Sequence, residues 1–176
     1  LGRYGEARAV YRRALATTRA LFPSGDHPLV AQSLFDICSV RMRELKGEYE
    51  EGLAEVKQSL EMRGRMLGQH HPETIRTLHL LSVVYGRLDR GEESLDAIQR
   101  VVRAQEQIFG RRHLRNVEAL FELGEAYKMV GQHALALESF QESFEIGKAI
   151  YGAEEAERRC SDTLAEMAGE LAVLGR

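Results

Sequence analysis

Few side chains in this chain have chemistry to offer. Cys38 and His79 are a thiol and an imidazole of the kind that act as nucleophile and base. No third group is spaced to orient the imidazole. Cys38 also stands where two related stretches carry Ser82 and Gly124, so a packed, buried thiol is expected rather than a nucleophile. His70, His71 and His79 suggest a metal site, because 71 and 79 lie roughly two helical turns apart. No cysteine or carboxylate stands at ligand spacing, and His71 heads a helical pattern as His27 and His113 do, so a helix-start role is expected and no metal. Arg111, Arg112, His113 and Arg115 form the densest basic run, and Glu48, Glu50, Glu51 and Glu55 an acidic turn. Runs of this size at loops are solvated rims. The phosphate-cradling loops Gly-x-Gly-x-x-Gly and Gly-x4-Gly-Lys-Ser/Thr are absent, and so is the nucleophile elbow Gly-x-Ser-x-Gly. The expectation is a non-enzyme without a cofactor.

Composition points the same way. With 24 Lys and Arg against 27 Asp and Glu, the net charge of −3 argues against a general polyanion binder, so no nucleic acid is expected. No window reaches the ~18–20 uninterrupted apolar residues of a membrane span, so no membrane association is expected. Two distant cysteines, Cys38 and Cys160, make no disulfide framework. Sparse cysteine and no signal sequence make a cytoplasmic location the expectation. Three Pro, no Trp and abundant Ala, Leu, Glu and Arg favour helix throughout.

These residues are placed by a repeat. Three glycine-containing turns end in the sequences Gly25-Asp26-His27-Pro28, Gly68-Gln69-His70-His71-Pro72 and Gly110-Arg111-Arg112-His113-Leu114, each at the head of a helical pattern. Gly68, Gly110 and Gly152 lie 42 residues apart. A second mark, a turn residue with a small residue five later, occurs at Gly2/Ala7, Gly47/Gly52, Asp89/Ser94 and Gly131/Ala136. Each period holds two helical stretches. Leu120, Leu123, Gly124, Tyr127 and Val130 share one face over 114–130, and Leu137, Phe140, Phe144 and Tyr151 another over 133–151. No period-two strand pattern is found. Pro28 and Pro72 suit a first helical turn, Gly68, Gly110 and Gly152 suit helix C-termini, and short turns at 47, 89 and 131 make each helix pair antiparallel.

Leu120, Leu123, Gly124, Tyr127, Gly131, Ala136, Phe140 and Ser143 sit at spacings that resemble the tetratricopeptide repeat. The 42-residue period and the Gly-x-x-His-Pro turn are similar to its longer kinesin light chain type. The resemblance implies an all-α fold: a right-handed α-solenoid of antiparallel helix pairs, with small residues where helix A meets helix B. Mid-helix A, where repeats of this type carry Asn, this chain has Phe35-Asp36, His79-Leu80, Phe121-Glu122 and Ala165-Glu166. One array is expected over 1–176. Residues 1–22 would be helix B of a truncated repeat, 28–67, 72–109 and 114–151 full repeats, and 154–174 helix A of another truncated repeat. These raw ends suggest a fragment of a larger protein.

In a stacked array the A helices line the concave face. With Leu34, Leu78, Leu120 and Leu164 as core anchors, helical phase points Gln32, Phe35, Ser39 and Met42 into the groove from the first full repeat. The second adds Arg76, His79, Val83 and Gly86, with Arg87 beside them, and the third Glu118, Phe121, Glu125 and Lys128. The last helix offers Asp162, Ala165, Gly169 and Ala172. Phe35, His79 and Phe121 share one place in successive repeats, a ladder of flat side chains among charges, as a peptide-binding surface needs. The expected function is a non-catalytic scaffold that binds a protein or peptide in this groove, another domain of the same chain being one such partner. The alternatives are a sensor arm of a larger enzyme or nucleotide-driven switch, and an array that self-associates through its ends.

Overall fold

A computed structural model of the chain describes residues 3–23, 26–43 and 49–175. Every regular element among them is an α-helix. The chain divides into two compact units, Leu1–Leu88 and Asp89–Arg176. The first holds α1 (Tyr4–Leu21), α2 (Pro28–Arg41), α3 (Tyr49–Leu67) and α4 (Pro72–Arg87). The second holds α5 (Gly91–Phe109), α6 (Leu114–Met129), α7 (His133–Tyr151), α8 (Ala153–Arg159) and α9 (Ser161–Val173). The turns expected at Gly2, Gly47 and Glu48, and Ser24 and Gly25, fall outside the described residues.

Histidine sets the helix starts. His27, His71 and His113 are the N-caps of α2, α4 and α6, and each ring Nδ1 accepts the backbone N–H two residues on, from Leu29, Glu73 and Arg115, at 3.2 Å. An N-cap acceptor satisfies one of the orphan donors of the first turn. Phe22 stacks on the His27 ring at 3.6 Å and Phe109 on His113 at 4.7 Å, which orients two of the three imidazoles. At the other turn of the period, Asp89 and Gly131 occupy the same repeat position and both take positive φ, 58° and 75°. Asp and Gly are among the residues that tolerate this conformation.

In the first unit α2 packs against α1 and α3, and α3 against α4. Val30, Ala31, Leu34 and Met62 form its core, with Leu15 and Met66 against them. Ser59 Oγ donates to the Ala31 carbonyl at 2.7 Å, fastening α3 to α2. Arg41 is fully buried on the same helix stripe as Leu34 and Cys38, with Nε donating to Glu55 at 3.0 Å and a second contact to Glu51. A charge this deep persists only when paired.

The second unit repeats the arrangement. Phe140 is fully buried in α7 beneath α6, and Ser143 Oγ donates to the Val117 carbonyl at 2.7 Å, much as Ser59 does to Ala31. Asn116 is buried at the start of α6, and its amide donates to the Gly110 and Arg111 carbonyls at 2.9 and 2.7 Å, which pins the loop before the helix.

One expected element is corrected. Residues 154–174 are not one helix, because the backbone leaves the helical region at Cys160 (φ −109°, ψ 28°), between α8 and α9. Leu164 follows Gly152 by 12 residues, where Leu120 follows Gly110 by 10. The surplus is taken up by α8, which starts directly after Gly152. Buried Ala156, Cys160, Thr163 and Glu170 keep one face across the break.

Candidate functional site

In the first unit three of the residues expected in the groove, Gln32, Phe35 and Arg76, join one cluster on α2 and α4. Phe35 is only 7% exposed, so it is not an open aromatic anchor. Its faces are covered by two guanidiniums, Arg76 at 4.3 Å and Arg63 at 5.0 Å from the ring centroid. Such contacts contribute about 0.5–2 kcal/mol each, more when desolvated. Arg63 reaches from α3 and donates to the Glu73 carbonyl, to Thr77 Oγ1 at 2.7 Å and to Gln32 Oε1 at 2.6 Å. Burial holds this guanidinium below the usual arginine range. Gln32 donates in turn to Asp36 Oδ1 at 2.8 Å. Burial nonetheless pushes the Asp36 carboxyl above its ordinary value, against that hydrogen bond and the nearby Arg76 and Arg63.

The other predicted residues of this unit divide. Arg76 and Arg87 are exposed, while Ser39, His79, Val83 and Gly86 are half-buried. Met42 turns toward the B helix: its Cε lies 3.2 Å from where a β-carbon on Gly52 would stand. It packs α2 onto α3 rather than serving the groove.

Cys38 is fully buried, and desolvation, with Glu55 adding to it, pushes its thiol up to about 12. A thiol with that value carries almost no thiolate at neutral pH, in keeping with a packing role.

In the second unit α6, α7 and the helices after Gly152 line an open slot of about 450 Å³. Phe121 lies on its wall half-buried, its ring 5.5 Å from that of Phe140. Val117, Glu118 and Asp162 line it too, with Tyr151 and Arg159. Arg159 sits over the Tyr151 ring at 4.8 Å and pairs with Glu155, which holds its guanidinium above the usual arginine range.

Lys128, which helical phase points into the groove, is tied to two carboxylates. Its Nζ donates to Glu125 at 2.9 Å and also to Glu166. Burial pulls this ammonium down, but the two carboxylates outweigh it and hold the group above the usual lysine range. Two predicted groove charges, Glu125 and Lys128, are thus joined to each other and, through Lys128, to Glu166 of α9. Ala165, Gly169 and Ala172 are exposed on α9.

Sequence reasoning missed Arg63, Tyr151 and Arg159. For Arg63 a signal existed: it continues, at helical spacing, the inward stripe of Val56 and Ser59 in α3, where a charge must find partners.

Residues 81–149 match a sequence model of the tetratricopeptide repeat, and residues 1–29 match a second model of the same repeat. Together the matches span more than half of the chain. No curated protein matches the chain. Among solved structures it is similar to the nearly identical TPR-like repeats assigned to a kinesin light chain of Podosopora anserina. That likeness has 19% identity and a TM-score of 0.75 and covers 99% of this chain and 90% of that one. BtubC (BKLC) from P. vanneervenii gives 15% identity and a TM-score of 0.83 over 99% of this chain and 67% of that one. MamA gives 14% identity and a TM-score of 0.56 over 98% and 94%. At these identities the likeness is one of fold.

Proposed function

We propose that this chain, which belongs to the tetratricopeptide-repeat family, is a non-catalytic interaction scaffold that holds a protein segment on the exposed faces of its A helices. In the first unit α2 and α4 carry this surface, and in the second α6 and α9. The contacting residues are Gln32, Ser39, Arg76, His79, Val83 and Arg87, then Glu118, Phe121 and Glu125. Phe35 and Lys128 support them from below, through Arg76 and Glu125.

The observation that carries this reading is the slot beside Phe121. It is concave, partly apolar, and rimmed by charge, as protein and ligand sites are. A catalytic reading has no comparable support, because Cys38, the nucleophile candidate singled out in the sequence, is a buried, protonated thiol.

The test is capture from native cell extract by the immobilised chain, compared with a Phe121→Glu variant whose helicity is first shown to be intact. A protein held by the wild type and lost from the variant supports the reading. Equal capture by both moves the interface off this surface.

A further inference from the structure

Glu170 is a carboxylate at a place where other A helices carry apolar side chains. It stands six residues after the anchor Leu164, as Val84 of α4 and Ala126 of α6 follow Leu78 and Leu120, and all three side chains are buried. The Glu170 side chain is only 4% exposed, and its Oε2 lies 2.8 Å from Nδ1 of His133, the first residue of α7. A buried carboxylate stripped of its partner is strongly destabilising, so the imidazole bears on whether α9 stays against α7. An imidazole changes charge between about pH 5 and pH 8. At the start of a helix the macrodipole disfavours a cation, so it is the Glu170 carboxylate that favours a proton on His133. Proton binding and the seating of α9 therefore support each other.

The other charged groups around α9 have partners or face solvent. From α6, Lys128 is held by Glu125 and by Glu166, the latter one turn before Glu170. In α8, Arg158 and Arg159 are both held by Glu155. On α7, Glu138 is exposed and Lys148 lies beside Glu145. Asp162 of α9 is exposed. The Cys160 thiol, at the start of α9, is pushed up by desolvation and stays protonated over this range. The other imidazole of this unit, His113, is the N-cap of α6.

We infer that the His133–Glu170 pair is a proton-dependent latch on α9, which holds the helix while the imidazole is protonated and loosens it as pH rises toward 8. Asp162 and Thr163 of α9 line the slot beside Phe121, so the latch governs one wall of that slot. It stands independently of the scaffold reading and of what the slot binds.

The test is hydrogen exchange read by mass spectrometry, with rates corrected for the pH dependence of the chemical step. Protection of α9 is followed, and α5, which carries neither residue, is the internal reference. In the wild-type chain protection of α9 is expected to fall about tenfold between about pH 5.5 and about pH 8, as a charge-assisted hydrogen bond becomes an ordinary one, with a smaller change in α5. Glu170→Ala installs the residue that α6 carries at this place and is expected to abolish the difference. His133→Lys keeps a cation across the range and is expected to leave α9 equally protected at both values. His113 is present in every variant, so its own titration cancels. If Glu170→Ala loses helicity, His133→Lys decides. Equal wild-type protection at the two pH values, a fall that survives in a folded variant, or no protection of α9 at either pH overturns the latch.

Discussion

The ring of Phe140 fills the space that a side chain on Gly124 would need. A β-carbon at Gly124 would stand 2.5 Å from ring Cε1, and within 2.8 Å of two further ring atoms. Phe140 is fully buried. This contact sets how closely α6 approaches α7, and it explains why the helix-A position that holds Cys38 and Ser82 in other repeats is occupied here by glycine.

Gly124→Ala is therefore expected to destabilise the chain despite alanine's advantage of about 1 kcal/mol in a helix. Overpacking a filled core costs about 1–3 kcal/mol and more where the neighbour is rigid. Urea unfolding of the variant should show a lower midpoint with an unchanged slope. A midpoint at or above wild type would mean that α6 and α7 are not packed this closely.

The repeated histidine caps give a second expectation. His71→Ala removes the acceptor for the Glu73 N–H and should cost about 1 kcal/mol, as loss of an N-cap does. His71→Asp restores an acceptor at the positive end of the helix and should recover most of that loss. Equal stability of the Ala and Asp variants would show that the imidazole acts by packing alone.

Asp36 supplies a pH dependence. Burial raises its folded-state pKa above the unfolded value, so in the window between the two the folded chain binds this proton more tightly. Stability linked to Asp36 is accordingly lost as pH rises through that window. Asp36→Asn keeps the acceptor for the Gln32 amide and removes the buried charge. The variant should be at least as stable as wild type at pH 7, and the difference between them should shrink as pH falls toward 4. Unfolding curves at several pH values check this. A variant less stable at pH 7 would show that the attraction to Arg63 and Arg76 outweighs desolvation.

The framework was legible in the sequence because its signals are local. His27, His71 and His113, the positive-φ turn at Asp89 and Gly131, and the anchors Leu34, Leu78 and Leu120 all lie where the repeat and capping chemistry put them, at steps of 42 residues after the first step of 44. The surface was less legible because long side chains choose partners across helices. Helical phase pointed Phe35 and Lys128 into a groove, yet Arg63 and Arg76 cover the first, and Glu125 and Glu166 hold the second. The two-residue surplus after Gly152 is visible in the spacing, but the break at Cys160 is not.

The central claim is that the A-helix surface receives the partner, and site-specific photocrosslinking tests it most directly. A photoreactive phenylalanine analogue would be placed at Glu118, exposed beside the slot, and separately at Glu138, exposed on α7 outside it. Irradiation in native extract is predicted to give a discrete crosslinked product from position 118 and none from 138. A product from 138 alone would place the interface on the B helices and contradict the account.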